Sequence, residues 1–236
     1  MNKRIVIRLV LIAAVAIFAY FKHRGGNDGI DNSVPDGPKR TATLKDNPLE
    51  GIDREATGKA NERINGYEVL RGARLVDHRN NDGDSFFVEH QGRQFELRLY
   101  YVDTPEKYLS DRHEDQRRRV AEQGQELGGL SDQQTIAVGQ EAKAFVLNQI
   151  GSDSFDVYTR WERVYEGERF YGFVDLVSAE RYLSEELIAQ GLGRIHTKGP
   201  GRDEELPDGR SDRQFYLGLK DLEKQAQRAG RGAWGK

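Results

Sequence analysis

Residues 82–106 read DGDSFFVEHQGRQFELRLYYVDTPE, and this stretch decides how the chain is expected to fold. Ser85–His90 is rich in aromatic and β-branched residues. A Gln-Gly-Arg turn separates it from Gln94–Val102, in which Leu97 and Leu99 alternate with polar side chains. Two such runs joined by a short glycine-containing turn predict an antiparallel β-hairpin.

Two acidic clusters flank this hairpin. Asp82-Gly83-Asp84-Ser85 stands at the start of the first strand, and Asp103-Thr104-Pro105-Glu106 directly follows the second. Because antiparallel pairing brings the start of one strand beside the end of its partner, we expect the two clusters to meet in space. Converging carboxylates repel each other unless a cation lies between them, and oxygen-only ligands select Ca²⁺ or Mg²⁺. Either cluster alone is an ordinary turn sequence.

Arg98 lies within the second strand, five residues before Asp103, in a largely apolar stretch. A charged side chain at such a position needs a partner, which would be the acidic clusters or a bound anion. If it stood alone, Arg98 would be interpreted as a residue on the solvated face of a half-exposed strand. Its place between the two clusters favours a role in a site.

The hydrophobic pattern around the hairpin predicts further strands and helices. The predicted strands are Tyr67–Asp77, Phe155–Trp161 and Phe170–Val177, and the predicted helices are Ala137–Ile150, Leu183–Gln190 and Phe215–Ala229. Together with the hairpin, this order predicts an α+β domain over residues 62–236. We expect a five-stranded antiparallel sheet of the OB-barrel type with three α-helices.

The first 24 residues predict a membrane helix. An unbroken apolar run covers residues 9–21, and Arg8 is the only charge between Ile5 and Phe21. This length is at the short end for a spanning helix, and no small-residue cleavage motif follows the run, so an uncleaved signal anchor is favoured over a cleaved secretory signal. The basic residues before the run weakly favour a cytoplasmic N-terminus, which would place the rest of the chain outside the cytoplasm.

Residues 25–61 predict a flexible linker, and the charge of the remaining chain limits how it could bind nucleic acid. The linker is rich in Gly, Asp, Asn, Pro and Lys and has no hydrophobic period.

Five of the 36 Lys and Arg residues lie in residues 1–24, which contain no acid, so the rest of the chain has 31 bases and 39 acids, a net charge of −8. Binding to phosphates would therefore need a local cationic site. The absence of cysteine excludes thiol catalysis and thiolate metal sites.

The motifs, taken in order, resemble those of the staphylococcal (micrococcal) nuclease family. The resemblance begins with Asp82-Gly83-Asp84-Ser85, Leu97-Arg98-Leu99 and Val102–Glu106, with the family's interval between the first metal-binding Asp and the first Arg. Further stretches of the chain resemble the family's helices and the strand bearing its second catalytic Arg: Gly139–Ala142, Glu168–Gly172, Glu185–Leu192 and Ala226–Trp234. The matches cover about residues 67–234.

The resemblance implies a calcium-dependent nuclease that hydrolyses phosphodiester bonds of DNA or RNA with little sequence preference and leaves 3′-phosphate ends. It implies that Asp84 and Asp103 bind Ca²⁺ through their carboxylates and Thr104 through its backbone carbonyl. The expected assembly is a monomer, with nucleic acid as substrate and a membrane as partner of the N-terminal helix.

The resemblance also implies the catalytic residues. Glu106 would act as general base on the attacking water. Arg98 and Arg169 would hold the scissile phosphate through two-pronged guanidinium contacts.

Two departures from the family pattern stand out. Tyr108–Gln134 is about twenty residues longer than the corresponding family loop and carries Arg117-Arg118-Arg119; it either reshapes the substrate groove or is a solvated helical excursion. Ile195–Gly199 contains no aromatic residue where the family places its nucleotide-stacking tyrosines. Two other functions remain open: a binding module on the same fold without catalysis, and a membrane-tethered adaptor without metal dependence.

Overall fold

The computed structural model describes residues 62–109, 114–165, 167–176, 181–202 and 204–236. The predicted membrane helix over residues 1–24 and the predicted linker over residues 25–61 lie outside these ranges. Among the described residues, no helix combines the length and the apolar character needed to cross a bilayer.

The described residues form eight β-strands. They are β1 Arg63–Ile64, β2 Tyr67–Leu75, β3 Ser85–His90, β4 Arg93–Leu99, β5 Val102–Asp103, β6 Phe155–Arg163, β7 Arg169–Asp175 and β8 Arg194–Ile195. In β4, Phe95, Leu97 and Leu99 are buried while the residues between them are partly exposed, as the period of two requires. The predicted β3–β4 hairpin is present, with Ser85 opposite Arg98.

The structure is α+β with a mostly antiparallel sheet, and it differs in detail from the predicted barrel. Six strands pair in the order β1-β2-β3-β4-β7-β6, and β5 pairs with β8 in a second, two-stranded sheet. The pair β4–β7 is parallel, so the prediction of five antiparallel strands was wrong. The predicted closed barrel is also corrected. Although β2 pairs with β6, its pairing with β3 covers only Arg74 and Leu75, and the β2–β6 register breaks between Leu70 and Ala73.

Four α-helices are present in the described residues, one more than predicted. They are α1 Glu114–Glu126, α2 Asp132–Ile150, α3 Leu183–Ala189 and α4 Asp212–Arg228. Capping boxes begin α2 and α4, where Ser131 and Ser211 accept from the backbone amides of Gln134 and Gln214. The additional helix is α1. Its buried side chains include Gln116 and Gln123, so its inner face is largely polar and gives no hydrophobic period.

The predicted strand Gln94–Val102 is divided into β4 and β5 at Tyr101. Tyr101 has a φ of 68°, a conformation that costs energy in a residue other than glycine. Its ring is buried against Phe215 with centroids 4.9 Å apart, and its hydroxyl donates to Asp212 Oδ1 at 2.5 Å, so packing on α4 holds the turn. The turn redirects the chain so that Asp103 pairs with Arg194 of β8.

The core lies between the sheet and helices α2, α3 and α4. Phe173 of β7 is at its centre, with ring centroids 4.9 Å from Tyr182, 5.0 Å from Tyr100 and 5.6 Å from Phe215. Each aromatic pair of this kind adds about 0.5–1.5 kcal/mol beyond the area that it buries. This packing fixes the ends of β4 and β7, which carry the side chains described next.

Candidate active site

A pocket of about 500 Å³ opens beside the ends of β4 and β5 and is bordered by α1. Its charged lining consists of four carboxylates and four guanidinium groups: Asp82, Asp84, Asp103, Glu106, Arg98, Arg119, Arg169 and Arg194. All six residues predicted for the site line this pocket, including Thr104. Charges of both signs therefore converge on one cavity.

Arg98 bridges the two acidic clusters. Its Nη1 lies 2.5 Å from Asp84 Oδ1, and its Nη2 lies 2.7 Å from Asp103 Oδ1. The hairpin register causes this, because Ser85 pairs with Arg98 and Asp84 directly precedes Ser85. Arg98 therefore has a carboxylate partner in each acidic cluster. The prediction that the two clusters meet in space is confirmed.

The backbone around the bridge is closely packed. Asp84 Oδ2 accepts from the backbone amide of Thr104 at 2.6 Å, which ties the first cluster to the second. A Cβ added to Gly83 would lie 2.8 Å from Thr104 Oγ1, so only glycine allows this approach. Likewise, a Cβ at Gly139 of α2 would lie 2.4 Å from the carbonyl oxygens of Pro105 and Glu106. The second cluster is therefore held from both sides.

The two bridged carboxyls have opposite pKa shifts. Burial raises the pKa of Asp84 to about 6. The positive charge of Arg98 acts to lower this pKa, and the negative charge of Asp103 acts to raise it further. Burial also acts to raise the pKa of Asp103, but the charges and hydrogen bonds of Arg98 and Arg194 hold it below the usual value. Asp84 is therefore a buried acid whose negative charge is incompletely compensated, and a further cation beside it would be favourable.

Asp103 has two more partners, which the sequence did not reveal. Arg194 Nε donates to Asp103 Oδ2 at 2.8 Å, and Gln123 Nε2 donates to the same oxygen at 3.1 Å. Gln123 Nε2 is also 3.3 Å from the carbonyl oxygen of Thr104, and Gln123 Oε1 accepts from the backbone amide of Glu106 at 3.1 Å. One buried amide therefore contacts all three residues of the second cluster that were predicted to act.

Glu106 is held by α1. Its Oε1 accepts from Arg119 Nε at 3.1 Å, and its Oε2 accepts from Gln116 Nε2 at 3.3 Å. The Glu106 side chain is about one-fifth exposed, at 22%. Of the Arg117–Arg119 run that the sequence singled out, Arg119 faces the pocket while Arg118 pairs with Asp115 on its own helix. The long segment thus contacts the site.

Arg169 reaches the pocket from β7. The parallel register places it opposite Glu96 of β4, and Arg169 Nη2 lies 2.7 Å from Glu96 Oε1. Its side chain is 40% exposed, so water and solutes can reach the guanidinium. Arg98 is 15% exposed and already bridges two acids. The two predicted arginines therefore share the cavity but differ in accessibility.

The predicted calcium ligands are oxygen atoms that lie together. Asp84 and Asp103 share Arg98. The backbone amide of Thr104 donates to Asp84, and its carbonyl accepts from Gln123, which also donates to Asp103. Carboxylate and carbonyl oxygens suit Ca²⁺, and a carboxylate retains lone pairs after one hydrogen bond. Within the described ranges, no group of three or more His, Cys, Asp or Glu residues is placed to hold a metal. The predicted calcium ligands include only two carboxylates, so calcium binding at this site would also need the Thr104 carbonyl.

No protein-family model matches the chain, and no curated protein matches it.

Proposed function

We propose that this chain is a calcium-dependent nuclease of the staphylococcal nuclease type. The observation that carries the proposal is the Asp84–Arg98–Asp103 bridge, which gathers the two acidic motifs into one pocket with Glu106 and Arg169. A buried acid with an incompletely compensated charge, oxygen-only donors and accessible guanidinium groups suit a metal and a phosphate together. The substrate would be DNA or RNA.

In the proposed mechanism each residue has one task. Asp84, Asp103 and the carbonyl of Thr104 would hold Ca²⁺, which when bound polarises the phosphate and offsets its charge. Glu106 takes a proton from water as the water oxygen bonds to phosphorus. The bond from phosphorus to the 5′-oxygen breaks, and that oxygen takes a proton from solvent, leaving a 3′-phosphate.

The two predicted arginines would stabilise the charge that develops on the phosphate oxygens. Arg169 is exposed enough to contact the phosphate directly. Arg98 lies deeper in the pocket and is hydrogen-bonded to Asp84 and Asp103. Its N–H groups that make no hydrogen bond within the described residues would contact the phosphate while the others keep the two acids together. Both contacts are the charge-assisted kind that guanidinium groups make with phosphate.

Further parts of the proposal concern fold, assembly and location. The β2–β6 pairing supports a partly open barrel of the OB type. The apolar run over residues 9–21 supports a single-pass membrane anchor that would place the nuclease domain outside the cytoplasm, and secretion after cleavage is the alternative. We propose a monomer, the assembly that the family resemblance implies.

Nuclease activity with and without EGTA tests the proposal. Full-length protein in detergent should cleave single-stranded DNA or RNA in calcium, and EGTA should abolish cleavage. The product 3′ ends should become extendable by a template-independent polymerase only after phosphatase treatment. Calcium-independent binding without cleavage would instead support the alternative, a catalytically weak module that binds nucleic acid or protein.

Calcium affinity is expected to depend on pH because of Asp84. Burial raises the pKa of Asp84 to about 6, and a protonated carboxyl cannot ligate Ca²⁺. Binding must then release one proton below that pKa, so affinity should fall about tenfold for each pH unit below about 6 and level off above it. Calorimetric titrations at pH 5, 6 and 7 measure this, with Asp84→Asn as the control that should bind weakly throughout. Equal affinities at pH 5 and 7 would contradict the assignment.

A further inference from the structure

Helix α1 forms one wall of the pocket through side chains spaced by three and four residues. Gln116 and Arg119 contact the carboxylate of Glu106, and Gln123 contacts Asp103 and Thr104. Residues at this spacing lie on one helix face. The segment that lengthens the chain relative to the family pattern is therefore built into the site.

The guanidinium groups of the pocket divide into a buried and an accessible pair. Arg98 and Arg194 have side chains 15% and 10% exposed, and both are bound to Asp103. Arg119 and Arg169 are 51% and 40% exposed, and each contacts one glutamate, Glu106 or Glu96. The accessible pair is therefore the one that an incoming phosphate can reach without breaking a buried contact.

The Arg119–Glu106 contact is weak enough to be exchanged. Both of its distances are 3.1 Å, and the arginine is half exposed. Exposed ion pairs of this kind shift an equilibrium by at most about fivefold. A phosphate oxygen offers Arg119 a charge-assisted hydrogen bond of at least equal strength. Moving Arg119 onto phosphate would uncover Glu106 Oε1, the oxygen that Arg119 occupies.

We propose that Arg119 is a third phosphate-binding residue of the site, and that a substrate phosphate displaces it from Glu106 and thereby exposes the general base. This inference rests on the proposed nuclease function. The ligand is a phosphodiester of single-stranded nucleic acid, bound between Arg119 on α1 and Arg169 on β7. If α1 faced only solvent, it would supply neither the contact with Glu106 nor an accessible cation inside the pocket.

The test is oligonucleotide binding by full-length protein in detergent and calcium, in a Glu106→Gln background that slows turnover. In that background Arg119 faces a neutral amide rather than a carboxylate, so its removal breaks no ion pair at position 106. We expect Arg119→Ala to weaken binding of a fluorescent single-stranded DNA about fivefold and to lower the slope of log affinity against log salt by about 0.7. Arg119→Lys should keep the slope, because the charge remains.

Arg118→Ala is the matched control. Arg118 is one residue away but pairs with Asp115 and Glu122 on its own helix and is 66% exposed. It should leave affinity and slope unchanged, and circular dichroism melts should show all variants folded. If Arg119→Ala matches Arg118→Ala while the unmodified enzyme cleaves DNA, the role of Arg119 is overturned and the nuclease stands. If the unmodified enzyme neither binds nor cleaves nucleic acid in calcium, the proposed function fails and takes this inference with it.

Discussion

Replacing Glu106 with glutamine is expected to lower turnover about 100-fold or more, the usual effect of losing a general base. The amide has nearly the same shape, and its oxygen can still accept from Arg119, which contacts Glu106 Oε1 at 3.1 Å. The backbone amide of Glu106 keeps its bond to Gln123 Oε1. The variant should therefore lose proton acceptance and the 3.3 Å hydrogen bond from Gln116 Nε2, so its calcium affinity and melting temperature should stay close to those of the unmodified protein.

The measurement is kcat on single-stranded DNA at saturating calcium. Glu122→Gln is the control, because Glu122 is an exposed residue of α1 whose contact is Arg118 rather than the pocket. It should retain activity within about twofold, in line with the small effect of exposed ion pairs. Activity near normal in Glu106→Gln would remove Glu106 from the mechanism.

Replacing Arg98 with methionine is expected to lower the free energy of unfolding by about 3–5 kcal/mol in calcium-free buffer. The side chains of Asp84 and Asp103 are only 5% and 15% exposed. Asp103 keeps Arg194 and Gln123 as partners, but Asp84 loses its guanidinium partner. An unpaired buried charge costs far more than an exposed one. Calcium should restore part of the loss, because a cation between the two acids would compensate the same charges.

Urea denaturation with and without calcium measures this effect. The gain in stability on adding calcium should be larger in Arg98→Met than in the unmodified protein. Arg169→Met is the matched control, since its pair with Glu96 is partly exposed and should contribute less than about 1 kcal/mol. If the unfolding free energies of Arg98→Met and Arg169→Met are equal, the bridge does not stabilise the fold.

The hairpin and the meeting of the acidic clusters were predictable from the sequence because both depend on short-range pairing. Strand β3 has the predicted bounds, and the register that places Ser85 opposite Arg98 follows from the turn between the strands. Helices α2 and α4 carried hydrophobic periods and serine caps. In each case the deciding signal lies within a few residues of the element itself.

The other parts of the site depend on contacts that leave no local pattern. The inward face of α1 carries a single apolar side chain, Val120, and its Gln116 and Gln123 are buried and hydrogen-bonded. Strands β5 and β8 have two residues each, too few to show a period, so Arg194 gave no signal as a partner of Asp103. The turn at Tyr101 occurs in a residue type that rarely adopts a positive φ and exists because α4 holds it.

The parallel pairing of β4 with β7 sets the order in which the site assembles during folding. Hairpin β3–β4 closes a loop of a few residues and brings Asp84 to Arg98 early. Arg169 joins only when about 70 further residues have been synthesised and the non-local β4–β7 ladder has formed, a slower step with a larger loop-closure entropy. A chain still emerging from the ribosome would therefore hold the Asp84–Arg98 contact, while Asp103, whose turn depends on packing against α4, and Arg169 would join later. The proposed action on nucleic acid would therefore arise only near the end of folding.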